Sequence, residues 1–113
     1  KRGIPVFLHA HGDNVSEWKS LLEIAAGAST PSPLVLTHQT PVAIPGMHNP
    51  GGFTDGDRAA CVVRSLGVPK ESITMLGTRT DVVGRWSGVT DAETKIEKLQ
   101  WMDKVLRILE INY

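Results

Sequence analysis

The stretch IPVFLHAHGDN at residues 4–14 decides the fold of this chain. Residues 4–8 form a short, continuously apolar run, which is typical of a strand buried on both faces of a parallel sheet. Asn14 followed by Glu17 has the spacing of a helix capping box, and apolar residues recur at helical spacing up to Gly27. The stretch therefore predicts a strand, a polar turn and a helix in immediate succession.

The same alternation continues to the end of the chain. Further strands are predicted at residues 34–37 and 73–76, and further helices from Thr54 or Asp55 to Leu66 and from Thr90 onward. Strands that alternate with helices imply a parallel sheet with right-handed crossovers. We therefore expect residues 1–113 to form a single, partial α/β domain with a three-layer arrangement, a mostly parallel sheet flanked by helices.

Composition excludes several classes of function. The 113 residues carry 12 basic and 12 acidic side chains, a balance that argues against a nucleic-acid-binding protein. No apolar run approaches the roughly 20 residues that span a bilayer, and no signal segment opens the chain. The single cysteine, Cys61, lies between apolar neighbours and is predicted to be small and buried. These features suit a cytoplasmic protein, and they allow a homo-oligomer.

Polar segments follow all three predicted strands, at residues 9–14, 38–58 and 77–87. Ligands in open α/β sheets bind outside the carboxyl ends of the strands, so these segments predict one active edge. Residues 40–53 contain three of the seven prolines and three of the eleven glycines, which predicts a long functional loop without regular structure.

The first polar segment, HAHGDN, admits three interpretations. His9 and His11 are two residues apart and face the same side of an extended backbone, so with Asp13 they could bind zinc. The segment could instead bind phosphate or a hydrated Mg²⁺. In the third interpretation the histidines and Asp13 only make hydrogen bonds to the loop and cap the helix.

The second segment, NPGGFTDGDR at residues 49–58, combines paired glycines with a helix N-terminus, a pattern that can bind phosphate. Asp55 and Asp57 could hold a divalent cation or cap the helix, and Arg58 could contact a phosphate or pair with an acid. In the third segment Arg79 or Arg85 could neutralise phosphate charge. Lys95 and Lys98 suit a solvated helix face, and Trp101 is predicted to lie in the core rather than to act as a stacking platform.

Together, HAHGDN after an apolar strand and GGFTDGDRA at the start of a helix resemble the MptE-like family. These are archaeal 6-hydroxymethyl-7,8-dihydropterin pyrophosphokinases, similar in fold to the catalytic domain of thiamin pyrophosphokinase. The resemblance covers essentially the whole chain. It implies transfer of a diphosphoryl group from ATP to a pterin hydroxymethyl group, with Mg²⁺ as cofactor, in methanopterin- or folate-type cofactor synthesis. It implies no nucleic-acid or membrane partner.

The resemblance also implies roles for individual residues, with Asp13 as a metal ligand. Catalytic roles fall to His11, Asp13, Asp55 and Arg58. Substrate and ATP contacts fall to His9, Asn14, Gln39, Asn49, Gly51, Gly52, Phe53, Thr54, Asp57, Ser87 and Lys95.

The chain departs from the family pattern in two places. Pro50 stands where an aromatic residue is usual, and Thr78-Arg79-Thr80 replaces a Met-Asp-Phe-like run, which affects substrate identity more than reaction type. The family's upstream Asp-Leu-Asp-Gly motif would precede Lys1. From this, and from the abrupt start at an apolar stretch, we expect the C-terminal half of a thiamin pyrophosphokinase-like catalytic domain, a fragment with negligible activity of its own.

Two other functions remain open at the level of sequence. One is a metal-dependent hydrolase built on His9, His11 and Asp13, with His38 or His48 as a further zinc ligand. The other is a nucleotide- or pterin-binding module without catalysis. Metal analysis separates the hydrolase from the other two functions, and turnover by the full-length protein separates enzyme from binding module.

Overall fold

A computed structural model describes residues 3–84 and 91–113 of the chain. These residues form two compact units, Lys1–Asn49 and Pro50–Tyr113. The elements in chain order are β1 (Val6–His9), α1 (Val15–Ala26), β2 (Leu34–Thr37), β3 (Met47–His48), α2 (Asp55–Ser65), a 3₁₀ turn (Lys70–Ser72) and α3 (Ala92–Ile108). None of the helices in this part of the chain has the length and apolar character needed to cross a membrane.

The N-terminal unit is built on a parallel sheet with the strand order β1-β2-β3. Val6 lies opposite Leu34 and His9 opposite Thr37, so the first two strands end at the same level. Helix α1 connects β1 to β2, which is the βαβ connection that the apolar run and the capping pattern predict. The α/β class with a parallel sheet and accompanying helices is confirmed.

The predicted third strand, at residues 73–76, is wrong. The third strand is instead Met47–His48, within the segment predicted to have no regular structure, and it pairs with Leu36 and Thr37 of β2. Ile73 and Met75 are apolar because they pack against the core of the C-terminal unit. A short alternating run has the same sequence pattern whether it pairs in a sheet or packs against helices.

The predicted capping box at the start of α1 is also wrong. Asn14 does occupy the N-cap position, but its side chain makes no capping hydrogen bond, and the Glu17 carboxylate accepts from the Ser16 hydroxyl at 2.8 Å. The amide of Asn14 is used within the preceding turn instead. Gly27 ends the helix as predicted, with its N–H donated to the Glu23 carbonyl at 3.0 Å.

The core of the C-terminal unit lies between α2 and α3. Its buried members are Ala60, Leu99, Met102, Leu106 and Ile111, with Ile73, Met75, Val83 and Leu109 packed against them. Cys61 is buried, as predicted. The placement of Trp101 in the core is wrong, because 41% of this residue is exposed. The apolar stripe of α3 is narrower than its sequence suggests, since Ile108 is 80% exposed as well.

Both ends of α3 are closed by specific interactions. Asp91 caps the start by accepting from the Thr94 N–H at 3.1 Å, whereas the predicted cap, Thr90, lies outside the described residues. At the other end the Ile111 N–H reaches the Leu106 carbonyl and the Glu110 N–H reaches that of Arg107. This is a Schellman ending, and it places Glu110 in the left-handed region with φ of 55°.

Candidate functional site

The polar edge of the N-terminal unit begins where β1 and β2 end together. His9 and Thr37 are the last residues of their strands and register partners, and the His9 Nδ1 atom is hydrogen-bonded to the Thr37 hydroxyl. Because adjacent parallel strands present their carboxyl ends at one edge, the residues that follow each strand start from neighbouring positions.

Two such residues meet directly. The Gln39 side-chain amide lies 2.6 Å from the Nδ1 atom of His11, and the rings of His9 and His11 stand 6.3 Å apart at 72°. A side-chain amide and an imidazole nitrogen at this distance form a hydrogen bond between the ends of two neighbouring strands. His11, to which the resemblance assigns a catalytic role, and Gln39, to which it assigns a substrate contact, are thus held together by a side-chain contact between residues 28 positions apart.

Asn14 fixes the turn that carries these histidines. Its Oδ1 atom accepts from the His11 N–H at 2.7 Å, and its Nδ2 atom donates to the His9 carbonyl at 3.0 Å. One amide therefore satisfies a donor and an acceptor across the turn, which is a turn-forming use of this residue type. Asp13 lies on the exposed Gly12-Asp13 corner of that turn.

Sequence reasoning gave too little weight to the residues that organise the end of β2. His38 is buried, and its Nδ1 atom lies 3.1 Å from the Thr40 hydroxyl and 3.3 Å from the Thr40 N–H. The Asn49 amide donates to the Thr40 carbonyl at 3.0 Å, which anchors the chain after β3 to the chain after β2. The polar residues that follow β2 in the sequence could have indicated that Thr40 takes part in the polar edge.

The residues present fit a hard cation in part. Mg²⁺ takes oxygen ligands and is usually held by one or two carboxylates together with substrate phosphates. Asp13 and Asp55 both present exposed carboxylates. Within residues 3–84 and 91–113, no group of three or more His, Cys, Asp or Glu side chains is arranged to hold a metal ion. The assignment of a metal to Asp13 therefore remains a prediction.

In the C-terminal unit, backbone conformation and steric contacts explain why two glycines precede α2. Gly51 and Gly52 have φ of 98° and 90°, a region that favours glycine. A Cβ atom on Gly52 would lie 2.7 Å from both the N and the Cα atoms of Arg58, whereas one on Gly51 would meet only the Cys61 sulfur at 3.6 Å. Gly52 thus allows the loop to pass directly against the first turn of α2.

Asp57 ties this loop to the helix. Its carboxylate is fully buried and accepts from the Phe53 N–H at 2.8 Å, the Thr54 N–H at 2.7 Å and the Thr54 hydroxyl at 2.7 Å. Of the two roles that the sequence left open for Asp57, cation binding or capping, this geometry is capping. Its assignment as a substrate contact stays a prediction. Asp55, the first residue of α2, remains exposed.

Arg58 is also fully buried, with its Nη2 atom 3.5 Å from the Gly52 carbonyl. The charges of the buried residues Asp57 and Arg58 affect the pKa of the neighbouring Cys61 thiol. Burial raises the pKa of the Cys61 thiol above its ordinary value, the Asp57 charge raises it further, and the Arg58 charge opposes both. A thiol in this environment stays protonated and is a poor nucleophile.

An aromatic pair adjoins the glycine loop. The rings of Phe53 and Trp101 stack with centroids 5.3 Å apart and planes inclined by 28°, and the Lys104 ammonium nitrogen lies 3.9 Å from the centre of the Trp101 ring. The Thr54 hydroxyl lies 3.1 Å from the Met102 sulfur, which joins the loop to α3 at the same level. Phe53 was a predicted site residue, but Trp101 was not.

The remaining predicted residues lie apart from these contacts. Lys95 is half-buried and Lys98 exposed near the start of α3, as a solvated helix face predicts. Arg79 pairs with Asp81 at 2.8 Å in an exposed contact that lowers the pKa of the Asp81 carboxyl. Ser87 and Arg85 lie outside the described residues.

The site residues therefore fall into two groups, one in each compact unit. His9, His11, Asp13, Asn14, Gln39 and Asn49 belong to the N-terminal unit, and Gly51, Gly52, Phe53, Thr54, Asp55, Asp57, Arg58 and Lys95 to the C-terminal unit. One cleft formed by both groups stays a prediction.

Comparison with known proteins gives one match relevant to these residues. The chain is 38% identical, over 113 aligned residues and 93% of its length, to a protein of Pyrococcus furiosus named 6-hydroxymethyl-7,8-dihydropterin pyrophosphokinase. The alignment covers 44% of that protein, so the chain spans less than half of the length of this relative. No family model and no solved structure matches the chain. The chain is thus similar to part of a pterin pyrophosphokinase.

Proposed function

We propose that this chain is part of an enzyme that transfers a diphosphoryl group from ATP to the hydroxymethyl group of 6-hydroxymethyl-7,8-dihydropterin. The observation that carries the proposal is the 38% identity to the relative of that name over 93% of the chain. The enzyme would belong to the MptE-like family, have a thiamin pyrophosphokinase-like fold and act in the cytoplasm of an archaeon. Its product would enter folate- or methanopterin-type cofactor synthesis.

The contacts at the end of β1 support a positioning role for the N-terminal group. Phosphoryl transfer depends mainly on positioning and charge stabilisation, so rigid polar groups are the expected machinery. His11 is in contact with the Gln39 amide, and its turn is held by Asn14, so the imidazole is positioned at the end of β1. Asp13 on the exposed corner would contribute a carboxylate to Mg²⁺, which would offset phosphate charge when bound.

The contacts of the glycine loop narrow its possible role. The N–H groups of Phe53 and Thr54 are already used by Asp57. Phosphate contacts from this segment would therefore come from groups other than these two, at the first turn of α2, where the helix dipole favours an anion. The buried Arg58 adds positive charge behind that turn.

The test is an assay of the full-length protein with ATP, Mg²⁺ and 6-hydroxymethyl-7,8-dihydropterin, with the nucleotide products separated by chromatography. Diphosphoryl transfer releases AMP and consumes one pterin for each AMP formed. Reactions without pterin and reactions with thiamin as the acceptor serve as controls. Release of ADP, or AMP formation that does not depend on the pterin, would contradict the proposal.

A further inference from the structure

The stacked rings of Phe53 and Trp101 remain partly exposed to solvent. Phe53 is 43% exposed and Trp101 41% exposed, although the two rings already cover each other on one side. Aromatic side chains are among the largest contributors to a buried core, so two that stack and stay accessible forgo much of that stabilisation. Trp101 covers one face of Phe53, and the Lys104 ammonium lies over the Trp101 ring, so an incoming ring would stack on the Phe53 side of the pair.

The pair is held rigidly on both sides. Phe53 is fixed through its backbone N–H, which donates to the buried Asp57 carboxylate at 2.8 Å. Trp101 precedes Met102, which is buried in the core and in contact with the Thr54 hydroxyl. A flat surface that is fixed before it meets a ligand loses little conformational entropy on binding.

The charge beside the pair is positive. The Lys104 ammonium nitrogen lies over the Trp101 ring at 3.9 Å from its centre, well inside the range of a cation–π contact. The neighbouring Asp103 carboxylate accepts from the Tyr113 hydroxyl and from Arg107, contacts that lower its pKa, and the Arg107 charge offsets the negative charge that it keeps. A planar ring that carries a negative tail is therefore complementary to this surface in both shape and charge.

We propose that Phe53, backed by Trp101, forms a stacking platform for a planar nitrogen heterocycle, with Lys104 attracting the phosphates attached to it. This inference rests on the proposed function, whose two substrates each contain such a ring, the pterin and the adenine of ATP. Stacking of a base on an aromatic side chain contributes about 1–3 kcal/mol, so removing one ring should weaken binding by roughly 5- to 150-fold.

The experiment measures the dissociation constants of two ligands for the full-length protein by calorimetry: a non-hydrolysable ATP analogue with Mg²⁺, and oxidised 6-hydroxymethylpterin. Phe53→Leu and Trp101→Leu remove the flat rings but keep apolar bulk, and Trp101→Phe restores a ring. Ile108→Ala, a change at an exposed apolar side chain on the same helix, is the matched control. Melting temperatures identify any variant that has lost its fold.

We expect both leucine variants to weaken the same ligand by fivefold or more, with Trp101→Phe recovering most of the loss and Ile108→Ala within twofold of the wild type. The weakened ligand identifies the ring, adenine or pterin. If the wild type binds both ligands and neither affinity changes by more than twofold in folded variants, the platform is refuted and the proposed function stands. If the wild type binds neither ligand, the platform and the proposed function are both refuted.

Discussion

The carboxylate of Asp57 accepts the backbone N–H groups of Phe53 and Thr54 at 2.8 and 2.7 Å while it is completely shielded from solvent. A buried acceptor that serves two orphan donors at a helix start holds the glycine loop in place before any ligand arrives.

Replacing Asp57 with Asn should lower the free energy of unfolding by about 2–3 kcal/mol, because an amide has one acceptor oxygen and its NH₂ group would face a backbone donor. The control is Asp55→Asn, which changes an exposed carboxylate in the same helical turn and should cost less than about 1 kcal/mol. Urea denaturation of the three proteins measures the difference. Equal losses for the two variants would show that Asp57 does not brace the loop.

Replacing Gly52 with Ala should cost about 3 kcal/mol or more. The new Cβ atom would be strained at φ of 90° and would lie 2.7 Å from backbone atoms of Arg58. Gly67→Ala is the matched control, since φ there is 87° and a Cβ atom would meet nothing within 4 Å. That variant should lose only the strain contribution, about 1–2 kcal/mol. Melting curves that gave equal losses would exclude the steric clash.

The pKa of Cys61 gives a prediction about alkaline pH. The folded-state pKa is raised above the ordinary value of 9.0, so the protonated thiol stabilises the fold fully below pH 9. That contribution is lost as the pH rises from about 9 through the folded pKa, because only the unfolded chain releases the proton. Between pH 8 and 10 the melting temperature should therefore fall more for the wild type than for Cys61→Ala. Parallel curves would mean that the Cys61 pKa is not raised.

Under the proposed function, with Asp13 as a ligand of Mg²⁺, replacing Asp13 with Asn should reduce kcat of the full-length protein on the order of a hundredfold, which corresponds to about 2.7 kcal/mol of barrier. The substitution keeps the size of the side chain and removes the charge. Asp13 lies on an exposed corner, so the melting temperature should hardly change. If kcat were unchanged, Asp13 would be only a turn residue.

Substitution of Glu110 should stabilise the fold. Its φ of 55° places a residue with a full side chain in the left-handed region, where Asn is better tolerated. Glu110→Asn should raise the free energy of unfolding by about 0.5–1 kcal/mol, although it removes the ion pair with Lys70. Lys70→Met removes the same ion pair without changing the backbone, and it should leave stability equal or slightly lower. A loss of stability in Glu110→Asn would count against the strain.

The sequence predicted the parts of the fold that rest on strong local patterns. The apolar run before His9, the end of α1 at Gly27 and the start of α2 after Thr54 all appear in the structure. The third strand could not be predicted, because Met47–His48 has only two residues between turns and gains its place through pairing with β2. Such tertiary contacts leave no periodicity in the sequence.

For the candidate site, too, the sequence indicated the features that depend on local patterns. Residue types and strand ends located the polar edge, and the glycine pair located the loop before α2. The pairing of His11 with Gln39 spans 28 positions, and it depends on the register of two strands rather than on local spacing. At the start of α2, Asp57 is buried and Asp55 is exposed. This difference depends on packing, so the sequence could not show which of the two acidic residues is buried.

The register that sets His9 opposite Thr37 makes the chemistry of this edge sensitive to single-residue insertions and deletions. Successive side chains of a strand point to opposite faces, so a shift by one residue would turn His9 away from Thr37 while apolar residues could still fill the sheet. A deletion inside β1 could thus yield a folded chain that has lost the polar edge. Insertions and deletions in the turn between α1 and β2 would leave the register of β1 and β2 intact. We therefore expect length variation among related sequences in this turn and none within β1.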